Sequence, residues 1–245
     1  MDKVIVEREF LRIKGKDALN FCQGMWTSDF FANGRETPTS LCGRSYLLNP
    51  KAKLIVVASF FIQNKDEINF SVPVGEASRV KSYLEKYVIT EDVEIEILSD
   101  WTCVIYTEKS SGNKEISGCG IDVRDVYSLV GEAQKGEEIA LPLSFEGQWY
   151  LETWSSVNSI GTCQVKDFDA WRIARKLPEW RSDFQEGQFL FDHPCFEGVS
   201  LGKGCFMGQE FVGRALNRGS LPKEWCRFQA ENGKALVAGD LIDGH

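Results

Sequence analysis

Residues Leu201–Gly219 read LGKGCFMGQEFVGRALNRG, the most specific stretch of this 245-residue chain. Cys205 follows Lys203 and Gly204 and precedes Phe206, Met207, Gly208, Gln209 and Glu210. The flanking glycines let backbone come close at a turn. Behind the cysteine, Phe211, Val212, Ala215 and Leu216 are spaced for one face of a helix. That spacing puts Cys205 at or just before a helix N-terminus, where unpaired amides and the positive dipole end favour a thiolate. The charge of Lys203 would act in the same direction. Two readings are open: a reactive or liganding thiol, and a glycine-rich structural turn with an inert, half-buried cysteine. Gln209 and Glu210 stand where early helical residues cap free amides, or brace the loop that displays the thiol. Arg214 follows one turn later.

Other segments fall into order around this one. Gly15-Lys16-Asp17-Ala18 is followed by Phe21, Gln23-Gly24, Thr27 and Asp29; then come Pro50-Lys51-Ala52-Lys53 and Trp171-Arg172-Ile173. Read locally, Thr27-Ser28-Asp29 is turn chemistry, Phe168, Trp171 and Ala174 form a packing stripe, and Arg44 and Lys51 are solvated surface charge.

Together these segments resemble the YgfZ folate-binding family, over most of residues 1–220. The chain carries its K-G-C-[aromatic]-x-G-Q-E, with Arg214 and Arg218-Gly219 behind. It also carries G-x-D-A-x-x-F-x-Q-G-x-x-T-x-D and P-K-G-[KR], with Ala52 in place of the glycine. Members of that family support iron–sulfur enzymes, indirectly touching tRNA modification, and are relatives of the glycine-cleavage aminomethyltransferase (T-protein). The resemblance implies tetrahydrofolate or a derivative in a central cleft with Cys205 at its rim. Trp171 would stack on the flat ligand, and Arg172, Gln23 and Thr27 would line the cleft. The implied partners are iron–sulfur proteins or their assembly machinery, with an iron–sulfur species held only transiently and no resident metal.

Two other functions stay open. A T-protein-type aminomethyltransferase places an acidic residue in a G-G-x-x-D-D-like strand. The matching run here, Val57–Gln63 (VASFFIQ), has no Asp or Glu, and those enzymes lack K-G-C. Turnover of that kind is disfavoured. A non-catalytic interaction module with a vestigial folate site gains weight from the departure of Gln188–Glu197 from the family pattern and from the short stretch after Gly219.

Bulk properties narrow the classes. With 43% hydrophobic and 26% charged residues the chain has an ordinary globular composition. The charged start MDKVIVEREF is unlike a signal or transit peptide, and the longest apolar run, Leu54–Ile62, is too short for a bilayer. A cytoplasmic protein off the membrane is the expectation. The eight cysteines (22, 42, 103, 119, 163, 195, 205 and 226) form no C-x-x-C pair and no ferredoxin-like run, and read as reduced thiols. His193 and His245 are the only histidines, which removes most histidine-based hydrolase mechanisms. A formal net charge of −8 opposes direct nucleic-acid binding, whose affinity comes from phosphate neutralisation.

Elements are expected as follows: a strand over Val4–Ile13, a short helix capped by Asp17 through Gln23, and a hairpin of Leu54–Ile62 with Ile68–Val72. A helix over Glu76–Val88 and strands over Val93–Leu98 and Trp101–Tyr106 follow. After the Ser110–Lys114 turn come a strand near Ile121, a helix from Asp125, strands over Glu138–Phe145 and Trp149–Thr153, and a helix over Lys166–Leu177 closed by Pro178. The expected class is α+β: mixed, mainly antiparallel sheets with flanking helices, in a T-protein/YgfZ-like folate-binding fold. Residues 1–48 with 115–220 would form a discontinuous folate-binding core, 49–114 a second α+β subdomain, and 221–245 the remnant of a C-terminal module whose β-barrel is largely missing.

Overall fold

Leu54–Ile62 is apolar without alternation because its strand is covered on both faces. In the computed structural model, which describes residues 2–31, 42–107, 138–145, 148–156, 169, 172–173, 177–183, 185–192 and 198–217, this strand, β4 (Leu54–Asn64), lies inside a five-stranded antiparallel sheet. Its neighbours are β3 (Cys42–Leu48) and β5 (Glu67–Pro73); β2 (Arg8–Lys14) and β6 (Glu94–Leu98) complete the order β3-β4-β5-β2-β6. Asn64 shapes the β4–β5 turn by accepting the Asp66 amide at 2.8 Å. A second, four-stranded antiparallel sheet has the order β1-β7-β9-β8, from β1 (Asp2–Val6), β7 (Thr102–Thr107), β9 (Gln148–Ser155) and β8 (Glu138–Phe145). The α+β class and the antiparallel pairing agree with the sequence reading.

One face of the five-stranded sheet packs on helices α1 (Ala18–Met25) and α2 (Ala77–Leu84), through Leu19, Cys22 and Met25, and Val80 and Leu84. The other face meets the four-stranded sheet, where Phe10, Val57 and Phe61 join Cys103, Leu141 and Trp154 in one core. Phe10 meets the edge of Trp154 with centroids 5.5 Å apart, and Trp26 stacks on Phe70 at 4.5 Å. The third helix, α3, spans Gln209–Asn217. No helix among the described residues is long and apolar enough to cross a membrane.

Several elements differ in detail from the sequence reading. The single strand expected over Val4–Ile13 is two: the chain leaves one sheet after Val6 and enters the other at Arg8. β3 and β4, on either side of residues 48 and 49, are paired in one sheet. Asp17 makes no capping bond to α1; its carboxylate accepts the Asp92 amide at 2.8 Å and so ties the helix entrance to the start of β6. Gly15 makes that approach possible, with φ +131° and a built Cβ only 2.0 Å from the Asp92 carbonyl oxygen. The helix expected over Glu76–Val88 ends at Leu84 and tightens into a 3₁₀ turn, Glu85–Tyr87. The elements near Ile121 and Asp125 lie outside the described residues, and of the helix expected over 166–177 only 169, 172 and 173 are described, all helical.

The sheet change is locked electrostatically. Arg8 forks onto Glu179 with bonds of 2.6 and 2.9 Å. Burial alone would raise the Glu179 pKa, but the charge and bonds of Arg8 outweigh it and hold the carboxyl below its ordinary range. Arg8→Ala would strand a half-buried carboxylate and lower the unfolding free energy by about 3 kcal/mol. The apolar pair Arg8→Met with Glu179→Leu would recover most of that loss. Chemical denaturation of the three proteins measures it; equal losses in the single and double variants would exclude the ion pair as the lock.

Candidate functional site

The Cys205 loop is fastened to the far end of α1. Lys203, 8% exposed, turns its ammonium inward to donate to the carbonyls of Gln23 (2.7 Å), Trp26 (2.5 Å) and Ser28 (2.6 Å). Three N–H donors thus meet three acceptors just past the helix, where carbonyls have no intrahelical partner. The rings of Phe206 and Phe30 lie 5.1 and 5.8 Å from the same nitrogen. Two backbone bonds reinforce the joint: the Met207 amide donates to the Gly24 carbonyl at 3.1 Å and the Ser200 amide to the Thr27 carbonyl at 2.9 Å. Gly208, with φ +83°, rests on the Asn49–Ala52 turn, a built Cβ lying 2.7 Å from the Asn49 carbonyl oxygen. Ala52 itself holds φ +57°, the left-handed conformation a glycine would take without strain. Lys203-Gly204-Cys205, Gln23-Gly24 and Pro50–Lys53, far apart in sequence, therefore meet in one joint.

Cys205 is exposed at the outer side of this joint, the only exposed thiol among the four described cysteines. It does not sit on the first helical turn. α3 begins at Gln209, and the turn Phe206-Met207-Gly208 intervenes. Gln209 braces that turn by accepting the Phe206 amide on Oε1 at 3.2 Å. Glu210 pairs instead with Arg214 one turn along the exposed helix face, a contact of small energetic weight. Elsewhere burial pushes the Cys22 and Cys103 thiols up and raises Cys42 to about 11.

The other sequence candidates are engaged in framework bonds. Thr27 is fully buried, donating to the Gly198 carbonyl at 2.7 Å and accepting the Tyr46 amide at 2.9 Å. Gln23 donates to Asp29 at 2.9 Å and accepts the Phe30 amide at 2.8 Å. Arg172 is held by Asp169 at 2.5 Å and Asp183 at 2.6 Å. Trp171 and Arg218-Gly219 lie outside the described residues. Lys51 is exposed as expected, whereas Arg44 is not surface charge: it lines a cleft between the sheets.

That cleft is where the sequence reading was blind. Arg44, Ser59 and Ser71 are direct cross-strand partners on β3, β4 and β5, and Arg8 and Glu179 close the cleft's side. Ser59 donates to Glu152 of β9 at 3.3 Å, and the same carboxylate accepts the Trp154 indole N–H at 2.8 Å and the Cys103 thiol at 3.4 Å. The available signal was a serine at 59 inside an apolar run and another at 71 in the partner strand. No group of three or more His, Cys, Asp or Glu side chains placed to hold a metal ion occurs among the described residues.

Comparison with known proteins matches this geometry to a fold. No family model matches the chain. An uncharacterized protein of Haemophilus influenzae is 25% identical over 243 residues, covering 98% of this chain and 77% of its own. An Arabidopsis thaliana chloroplast protein described as a putative transferase is 21% identical over 238 residues, covering 88% of this chain and 53% of its own. Among solved structures, the glycine cleavage system aminomethyltransferase T of Bartonella henselae superposes with a TM-score of 0.65 at 12% identity, over 89% of this chain and 63% of that one. The chain has the aminomethyltransferase T-like fold. It spans about half the length of the Arabidopsis protein and under two thirds of the Bartonella one.

Burial lowers the Lys203 pKa to about 7, against the opposing pull of the Asp29 carboxylate. An unfolded lysine titrates near ~10.4. From about pH 7 to 8.5 the unfolded chain therefore keeps a proton that the folded chain gives up, so unfolding free energy rises with pH there and the dependence vanishes below 7. Above roughly 8.5 unfolded cysteines ionise while Cys22 and Cys103 do not, and the slope turns over. Lys203→Met would flatten the rise, as read by denaturant titrations across that interval; parallel slopes in both proteins would dismiss Lys203 as its source. Gly208→Ala would lower stability by about 2 kcal/mol through strain and the Asn49 clash, and an unchanged melting curve would contradict the packing described.

Proposed function

We propose that this protein binds a reduced folate and presents the Cys205 thiol in support of iron–sulfur enzymes. The observation that carries the reading is the exposed cysteine on a loop whose neighbouring lysine is buried in a carbonyl cage. A loop of glycines left to itself would be floppy; this one is held at Gln23, Gly24, Trp26 and Ser28. Rigid display of an accessible thiol suits chemistry or ligation better than packing.

The aminomethyltransferase T-like fold supports the folate part. The cleft is compatible with such a ligand: Ser71, 3% exposed, carries a hydroxyl with no hydrogen-bond partner, a polar group that a bound molecule would satisfy. By the family resemblance, Trp171 would stack on the folate and Cys205 would stand at the rim of its site. A one-carbon-substituted tetrahydrofolate would supply its one-carbon unit from N5, N10 or both. Iron–sulfur species enter as cargo of client enzymes and not as a resident centre.

Titration of tetrahydrofolate under anaerobic conditions should saturate at micromolar concentrations and change tryptophan fluorescence. Limiting iodoacetamide followed by peptide mapping should label Cys205 before Cys22, Cys42 or Cys103. Cys205→Ser should keep fold and folate affinity yet lose support of iron–sulfur enzymes in a complementation assay. Full complementation by that variant would make the thiol structural. Aminomethyl transfer is the second reading, favoured by the fold likeness alone; ammonia release from an aminomethyl-loaded carrier with tetrahydrofolate would establish it.

A further inference from the structure

Between the two sheets, in a core otherwise built of Phe10, Val57, Phe61, Leu141 and Trp154, two serines sit side by side. Ser59 and Ser71 are register partners on β4 and β5, 8% and 3% exposed. Opposed side chains on neighbouring strands begin about 5 Å apart. Each hydroxyl buried among apolar groups needs a partner, and an unsatisfied one costs stability. They solve this differently. Ser59 has one proton and gives it to Glu152, itself 3% exposed and fixed by the Trp154 indole and the Cys103 thiol. Its oxygen therefore faces the cleft with lone pairs only. The Ser71 hydroxyl has no hydrogen-bond partner and is free to donate. The pair thus offers an acceptor beside a donor, in fixed order.

We infer that the Ser59–Ser71 pair, polarised by Glu152, is a recognition face for an amide-type ring edge, an N–H beside a carbonyl oxygen, the ring N–H meeting Ser59 and the carbonyl meeting Ser71. The cleft leaves about 20 Å³ free, the room of about one water molecule. It therefore receives an edge, while the body of the ligand lies outside the row. Arg8 and Glu179 in the cleft wall neutralise each other, and the Arg44 guanidinium beside Ser59 adds a positive charge that favours a carbonyl oxygen at this wall. The inference rests on the folate reading, and it assigns the pterin edge, not the glutamate tail, to this cleft.

The test uses the full chain and four probes by isothermal titration: 5-formyltetrahydrofolate, 6-methylpterin, N3-methylated 6-methylpterin and p-aminobenzoylglutamate. Ser59→Ala and Ser71→Ala should each weaken the first two by about 3- to 10-fold, the loss of one hydrogen bond, and leave p-aminobenzoylglutamate unchanged. Methylation at N3 should weaken pterin binding to the wild type and make little difference to Ser59→Ala, a coupling that a merely structural serine would not produce. Thermal melts confirm folding, and Ser59→Thr, which keeps the hydroxyl, serves if the alanine variant fails to fold. Folate binding that both alanine variants retain within 2-fold overturns the inference and leaves the folate reading standing. Pterin bound by way of Ser59 with no binding of the folate keeps the inference and removes the folate reading. No binding of any probe by the wild type overturns both.

Discussion

The ammonium of Lys203 is the point on which three distant segments converge. Its three donors gather carbonyls from the last turn of α1 and the residues that follow it, and its stem carries the Cys205 loop with it. Burying a lysine is costly unless the charge is met. Here main-chain oxygens meet it only in part, burial still lowering its pKa to about 7, and these oxygens stay where they are whichever side chains surround them. A glycine at 208 and a left-handed residue at 52 then let the second edge of the loop lie on the Asn49–Ala52 turn. The joint also explains why Gln23 and Thr27, polar residues in a conspicuous order, have their hydrogen-bonding capacity consumed within the framework. Their task is to shape the receiving surface for Lys203.

Much of this was legible in the chain. The Leu54–Ile62 run, broken only by Ser59, and the short Asn64–Glu67 turn pointed to the hairpin at the heart of the five-stranded sheet, and the spacing from Phe211 to Leu216 pointed to α3. What stayed hidden depended on partners far away in sequence. Val4–Ile13 reads as one strand because nothing local marks Glu7 as the place where the chain changes sheets. Asp17 looks like a helix cap, yet its acceptor serves Asp92, 75 residues on. Lys203 reads as a charge beside the thiol, and only its burial among α1 carbonyls reveals a different duty. Glu152 lies in a strand whose alternation carries no hint that Ser59, Cys103 and Trp154 would all point at it.

The interface between the sheets has a mixed character that follows from these hidden pairings. Around Trp154 it is a dry aromatic core, while a few residues away Arg8, Arg44, Glu152 and Glu179 bring four formal charges into the same layer. Arg8 with Glu179 is self-contained, and Glu152 is surrounded by neutral donors. Such a layer is a poor choice for stability alone, since apolar side chains of equal volume would serve as well or better. A core polar at one end is what the proposed recognition of a ligand edge requires, on the same chain that displays an accessible sulfur.

The crossing at Glu7 also sets an order of assembly. The five-stranded sheet draws all its strands from residues 8–98, β3, β4 and β5 pairing with their sequence neighbours and β2 reaching across to β5 and β6, so it can close once that length of chain is available. The strand immediately before it, β1, pairs only with β7, about a hundred residues later, and β7 in turn with β9. During synthesis the first strand must therefore wait, unpaired and tethered to a finished sheet, until its partners emerge. The last described element, α3, follows both sheets, so the thiol loop is fastened only after everything it fastens to is in place.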